Sequence, residues 1–242
     1  FLLLDGAMGT MIQSLHLTAE DFGGEAYEGC NEVLNLTAPD KIRGIHLDYL
    51  RAGADIIETN TFGSTGLVLS EYGLREKAYE ITLAGARIAR EAVRLYEEET
   101  GKRAFVAGSM GPTTKAISVT GGISFDELVS EYKEQAKALL EGGVDLLLVE
   151  TAQDTLNVKA AGLGIEEAFQ ERGRRVPLLI SGTIETTGTM LAGQTIDAFY
   201  TSIKHLQPLA VGINCATGPD EMRDHLRTLA SLHPPYTLVY PN

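Results

Sequence analysis

The chemistry in this chain starts with a thiol at the end of an apolar run. Leu209-Ala210-Val211-Gly212-Ile213 reads as a short strand, Asn214-Cys215 follow it, and Gly218-Pro219-Asp220 open a helical pattern. A continuous apolar run marks a strand of a parallel sheet buried on both faces. Residues just past the C-terminal ends of such strands form ligand sites. Asp5, Glu58 and Glu150 end three other apolar runs, with the amides of Asn60 and Asn214 and the hydroxyls of Ser109 and Ser181 at equivalent places. A ring of carboxylates suits a cationic group such as the ammonium of an amino acid. Backbone N–H groups of the turn Gly6-Ala7-Met8 suit the carboxylate of the same molecule. A thiolate at Cys215 suits a soft metal such as zinc. Together these residues describe a site for a small zwitterion that carries a metal-seeking group.

Each residue also has a purely structural role open to it. Cys215 can serve as a small buried apolar side chain, Asp5 can brace the turn that follows it, and Glu150 can pair with a nearby Lys or Arg. Cys30 falls in an irregular stretch and reads as neither ligand nor nucleophile. His16, His46, His205, His225 and His233 fall mostly on helices or their ends, which suits surface or core roles. No H-E-x-x-H, P-loop or G-x-S-x-G motif is present. The residues alone give a barrel enzyme with its reaction left open.

The elements that must position these side chains alternate strictly. Phe1–Leu4 is expected as a first strand, and residues 20–38 as irregular. A helix from Pro39 to Gly53 carries Ile42, Ile45, His46, Tyr49 and Leu50 at helical spacing. Ala54–Glu58 is the next strand, Arg75–Glu98 a long helix and Ala104–Gly108 a strand. Ser124 and Glu127 resemble a capping box for a helix that ends at Gly142-Gly143. Strands then follow at Val144–Val149, Leu178–Ser181, Leu209–Asn214 and Thr237–Tyr240, with helices at Thr155–Gln170, Ile196–His205 and Asp220–Leu232 between them. An internal echo pairs Ala52-Gly53-Ala54-Asp55-Ile56-Ile57-Glu58-Thr59 with Gly142-Gly143-Val144-Asp145 through Glu150-Thr151. Repeated strand–helix units imply a parallel sheet covered by helices. Seven of them point to an α/β (β/α)8 TIM barrel, typically ~250 residues long, that lacks its eighth strand in the residues given. A doubly wound open sheet is the alternative. A single domain, C-terminally incomplete, is expected over residues 1–242.

Composition narrows the partners. The chain has 242 residues and a formal net charge of -13, which argues against nucleic acid or an anionic membrane. Two distant cysteines suggest a reducing compartment. No apolar run approaches the ~18 residues that cross a membrane. The apolar start has no basic region ahead of it and reads as a strand rather than a signal sequence. A cytoplasmic location is expected.

Four motifs in order carry a family resemblance: LLDGAMGT, ETNTFGST, GSMGPTTK and GINCATGP. They resemble the homocysteine S-methyltransferase barrel, and the likeness covers essentially all of the chain. DGAMGT together with SVTGGISF is most similar to the N-terminal homocysteine module of cobalamin-dependent methionine synthases. The resemblance implies zinc held by three cysteines. Cys215 matches the first, and the adjacent pair is expected beyond Asn242, so the fragment alone is expected to be inactive. It also implies that Asp5 and Glu150 bind the homocysteine amino group, that Gly6 and Ala7 contact its carboxylate, and that Asn214 belongs to the substrate site. Methylcobalamin would be held by another module, because nothing here resembles D-x-H-x-x-G, and folate- and cobalamin-binding modules of the same polypeptide are the expected partners. A stand-alone methyltransferase using betaine or S-methylmethionine, and a metal-free amino-acid-binding barrel, are the alternatives.

Overall fold

A computed structural model describes residues 1–241. The chain divides into two compact units, Phe1–Ser109 with Gln135–Leu146, and Met110–Glu134 with Leu147 onward.

In the first unit, α1 (Met8–Ser14), α2 (Leu34–Thr37), α3 (Pro39–Ala52), β1 (Ile56–Glu58), α4 (Gly66–Leu69), α5 (Ala78–Thr100) and β2 (Phe105–Met110) follow in order. β1 and β2 pair in parallel, Ile57 opposite Val106. α3 begins at Pro39, where a missing N–H costs nothing, and ends at Gly53 in the left-handed conformation (φ +111°) that closes a helix C-terminus. Its buried face is Ile42, Ile45, His46 and Leu50, as the spacing predicts. The expected strand Phe1–Leu4 contracts to one parallel bridge, Leu4 to Ile56. Phe1, Leu2 and Leu3 are exposed, and backbone bonds join Leu3 and Asp5 to Asp55 and Ile56, too few for a strand. The stretch 20–38 is more ordered than its lack of period suggests. Two 3-10 turns, Glu25–Tyr27 and Asn31–Val33, lead into α2, and Phe22, Cys30, Val33 and Leu34 join the core with Ile12, Ile42, Ile45 and Ile81.

In the second unit, β3 (Leu146–Ala152), β4 (Leu178–Gly182), β5 (Ala210–Asn214) and β6 (Tyr236–Tyr240) are neighbours in that order, all parallel. The helices are α7 (Thr155–Arg172), α8 (Ile196–Ile203), α9 (Pro219–Ser231) and the start of α6 (Phe125–Gly142), whose residues from Gln135 on belong to the first unit. The capping box at the start of α6 is formed: the Glu127 N–H donates to Ser124 Oγ at 3.2 Å, and the Ser124 N–H donates to Glu127 Oε2 at 2.8 Å. β4 and β5 are buried along their whole length, and each fully buried Leu or Ile there contributes roughly 1.5–3 kcal/mol. Two glycines let backbones approach closely. A Cβ on Gly164 would lie 2.5 Å from the Val129 carbonyl oxygen, and one on Gly212 would lie 1.9 Å from that of Leu238.

Strand followed by helix, with every paired neighbour parallel, is the repeat of a (β/α)8 barrel. Six strands and the Leu4 bridge stand where seven strands are expected. The eighth, expected past Asn242, lies outside the described residues. No helix among the described residues is long and apolar enough to cross a membrane.

Candidate active site at the strand ends

The sequence-predicted site residues fall into two groups, one inside each unit. In the first unit, Asp5 is buried, and its Oδ2 accepts the Glu58 backbone N–H at 2.9 Å. The same carboxylate that was expected to meet substrate therefore also braces the end of β1. A Cβ on Gly6 would sit 2.7 Å from the Tyr49 hydroxyl, so glycine here lets the Tyr49 ring lie against the turn. That hydroxyl donates to the Ala7 carbonyl at 3.3 Å. Burial pushes the Tyr49 phenol upward, and the charges of Asp5 and Glu58 push it further. Tyr49 thus belongs to this acidic cluster, although helical spacing alone marked it only as core. Asn60 takes a different part: its Nδ2 donates to the Asn31 carbonyl at 2.8 Å and to Asn35 Oδ1 at 3.0 Å, anchoring the loop after β1. Glu32 Oε1 accepts the Gly63 N–H of the same loop at 2.7 Å, and burial raises its carboxyl above the usual range.

In the second unit, Glu150 lies near the end of β3, where the pairing with β4 changes register between Val149 and Ala152. Such a bulge re-aims side chains. Glu150 lines a cavity of about 20 Å³ with Pro112, Thr113, Tyr132, Asp154 and Asn157, room for one water-sized group. An ammonium has that size. The roof is fixed rather than loose: Asp154 accepts the Ser118 N–H at 2.8 Å and its hydroxyl at 3.0 Å, while Asn157 accepts the Ile117 N–H at 3.0 Å and donates to the Lys115 carbonyl at 2.8 Å. The Tyr132 hydroxyl donates to the Gly111 carbonyl at 3.0 Å, and burial drives its phenol far upward, so it stays neutral.

Cys215 follows β5, half-buried, with φ +58°. Its sulfur accepts an N–H from Asn214 Nδ2 at 3.1 Å. Asn214 itself is buried, and its Oδ1 accepts from the Thr151 N–H at 3.0 Å and the Ser181 hydroxyl at 2.6 Å. Thr151 and Ser181 are thus members of the arrangement. The Glu-Thr repeat and the strand-end position of Ser181 were their sequence signals. Cys30, by contrast, is buried in the first unit and its thiol is pushed up to about 11, chiefly by burial and then by Glu32. It stays protonated and inert.

The homocysteine S-methyltransferase family model matches residues 2–242. The chain belongs to the homocysteine S-methyltransferase family. Among solved structures, it superposes on the metallated form of the Escherichia coli homocysteine methyltransferase MmuM with TM-score 0.84 and 26% identity, over 100% of this chain and 83% of that one. The oxidised form of MmuM gives TM-score 0.83 and 26% identity, over 100% and 82%. The fold class is therefore α/β, a TIM-type barrel lacking strands, and the family chemistry is methyl transfer to homocysteine. Among the described residues, no group of three or more His, Cys, Asp or Glu side chains could hold a metal ion. Cys215 supplies one soft donor, so these residues do not by themselves fit the zinc site of the homocysteine S-methyltransferase family. The paired cysteines expected beyond Asn242 lie outside the described residues.

Proposed function

We propose that this chain binds L-homocysteine and presents its sulfur to a methyl donor, as the homocysteine module of a cobalamin-dependent methionine synthase. The observation that carries the reading is the family match over residues 2–242. It is supported by a water-sized cavity lined by Glu150 and by a thiol in the same unit. In this reading Glu150 in the second unit meets the substrate ammonium, and Asp5, Gly6 and Ala7 in the first are the substrate contacts that the family resemblance implies. Holding the charged groups on the α-carbon of the amino acid aims its side-chain sulfur, which converts a bimolecular encounter into an oriented one. The substrate thiol gives up its proton, the new S–CH3 bond forms, and the methyl leaves its donor with the bonding pair remaining there. Cys215 is proposed as one soft donor to a metal, with its partners supplied from outside the described residues.

The cobalamin-dependent assignment is supported by DGAMGT and SVTGGISF. A stand-alone enzyme is the second reading, supported by superposition of the whole chain on 83% of MmuM. Supplying the intact protein with homocysteine and either methylcobalamin, S-methylmethionine or betaine, and measuring methionine, separates them. Product from methylcobalamin is expected. Product only from one of the other two favours the stand-alone enzyme, and none from any donor overturns the reading. Cys215→Ala is expected to abolish metal retention and turnover in the same protein.

A further inference from the structure

Asn214 uses every hydrogen-bonding position it has. Its Oδ1 accepts from the Thr151 N–H at 3.0 Å and the Ser181 hydroxyl at 2.6 Å, and its Nδ2 donates to Thr151 Oγ1 at 2.8 Å and to Cys215 Sγ at 3.1 Å. A side-chain amide has two acceptor and two donor positions, so none remains for a ligand. The Thr151 N–H can only donate, which fixes Oδ1 on that side and Nδ2 toward the sulfur. The Asn214 carbonyl in turn accepts from the Thr183 hydroxyl at 3.1 Å. One buried residue therefore fastens together the ends of β3, β4 and β5.

What it fastens is strained. Thr151 has φ +54°, in the left-handed region that a β-branched residue avoids. It sits in the bulge of β3 directly after Glu150. Cys215 and Ala216 are left-handed too, at φ +58° and +59°. Such conformations persist only where surrounding contacts over-determine them. The two Asn214 bonds to Thr151 do so on the carboxylate side, and the bond to Sγ reaches the thiol side.

We infer that Asn214 is a positioning residue, not a substrate contact: its saturated amide holds the Glu150–Thr151 bulge and the Cys215 sulfur in one fixed arrangement. This rests on the homocysteine reading of the same site and deepens it. Glu150 is aimed because Thr151 is held, and Thr151 is held because Asn214 spends both a donor and an acceptor on it.

The test uses the intact protein and three variants, with L-homocysteine binding by calorimetry and Thr151 amide exchange by mass spectrometry. Asn214→Ala should weaken homocysteine about tenfold or more and speed Thr151 amide exchange at least as much. Thr183→Ala removes the bond to the Asn214 backbone carbonyl but leaves its side-chain amide, Thr151 and Cys215 untouched. It should lower the melting temperature while leaving affinity within about twofold, which a merely structural role of Asn214 would not produce. Thr151→Gly tolerates φ +54° and releases the bulge, so it should reproduce the affinity loss even where Asn214→Ala does not fold. Wild-type affinity in either Asn214→Ala or Thr151→Gly, or an affinity loss in Thr183→Ala that tracks its stability, overturns the inference. Absence of homocysteine binding by the wild-type protein would refute the functional reading instead. In that case unchanged Thr151 exchange in Asn214→Ala would refute the tie, and faster exchange would uphold it.

Discussion

His46 should make this protein acid-labile in a calculable way. It lies on the buried face of α3, fully excluded from solvent, and neither ring nitrogen has a hydrogen-bond partner among the described residues. Burial lowers its pKa from 6.5 to about 4, so the folded protein holds it neutral. Between about pH 6.5 and pH 4 the unfolded chain binds up to one proton more than the folded one, and stability therefore falls as pH falls. The contribution is intact above about pH 6.5, declines from there to about pH 4, and is constant below. At roughly 1.4 kcal/mol per pKa unit, the loss is about 1 kcal/mol at pH 5.5 and about 2–3 kcal/mol at pH 4.5. His46→Leu removes both the titration and the two unpaired nitrogens while keeping an apolar side chain of similar size. Urea unfolding of both proteins at pH 7.5, 5.5 and 4.5 isolates the His46 contribution, because carboxylates titrate alike in the two. The gap between wild type and variant should widen by those amounts as pH falls. Two stability curves that run parallel across this range would refute the reasoning.

The other expectations concern close packing and the fixed loop. Gly212→Ala would place a methyl 1.9 Å from the Leu238 carbonyl oxygen and must push β6 away from β5. A loss of at least ~3 kcal/mol, read by thermal unfolding, is expected. Asp154→Ala removes the N-cap of α7 and both bonds to Ser118. It should cost ~1–3 kcal/mol and make trypsin cut after Lys115 faster. An unchanged cutting rate would mean that the loop is held by something other than Asp154.

The legible parts of the fold were those with a local physical signature. Pro39 and Gly53 bracket α3, Ser124 and Glu127 cap α6, and both signals are contained within a few residues. The internal echo proved to be mechanical. Asp55 Oδ2 accepts the Leu3 N–H at 2.8 Å, and Asp145 Oδ2 accepts the Val106 N–H at the same distance. Each aspartate ties its turn to a neighbouring extended segment and sets the register there. The 3-10 turns of residues 25–33 escaped notice because one turn is too short to display a period. The partners of Asn214 escaped for another reason. Thr151 and Ser181 are 63 and 33 residues away in the chain, and only the parallel register of β3, β4 and β5 brings them to it.

Where the backbone is strained separates the structural from the chemical parts of the molecule. Among the described residues, six non-glycine residues have positive φ. His16, Gln207 and His233 lie just past α1, the 3-10 turn Lys204–Leu206 and α9, and each N–H bonds to a carbonyl of the preceding turn. There a left-handed residue satisfies helix-end carbonyls, so its cost is offset locally. Thr151, Cys215 and Ala216 terminate no helix. They stand at the ends of β3 and β5, beside the carboxylate and at the thiol, and the side chain of Asn214 bonds to two of the three. Strain of about 1–3 kcal/mol per residue that serves no helix end needs another reason to persist. Aiming Glu150 and the Cys215 sulfur in the proposed homocysteine site supplies one, and a sequence freed of that task should accept glycine at all three positions with a gain in stability.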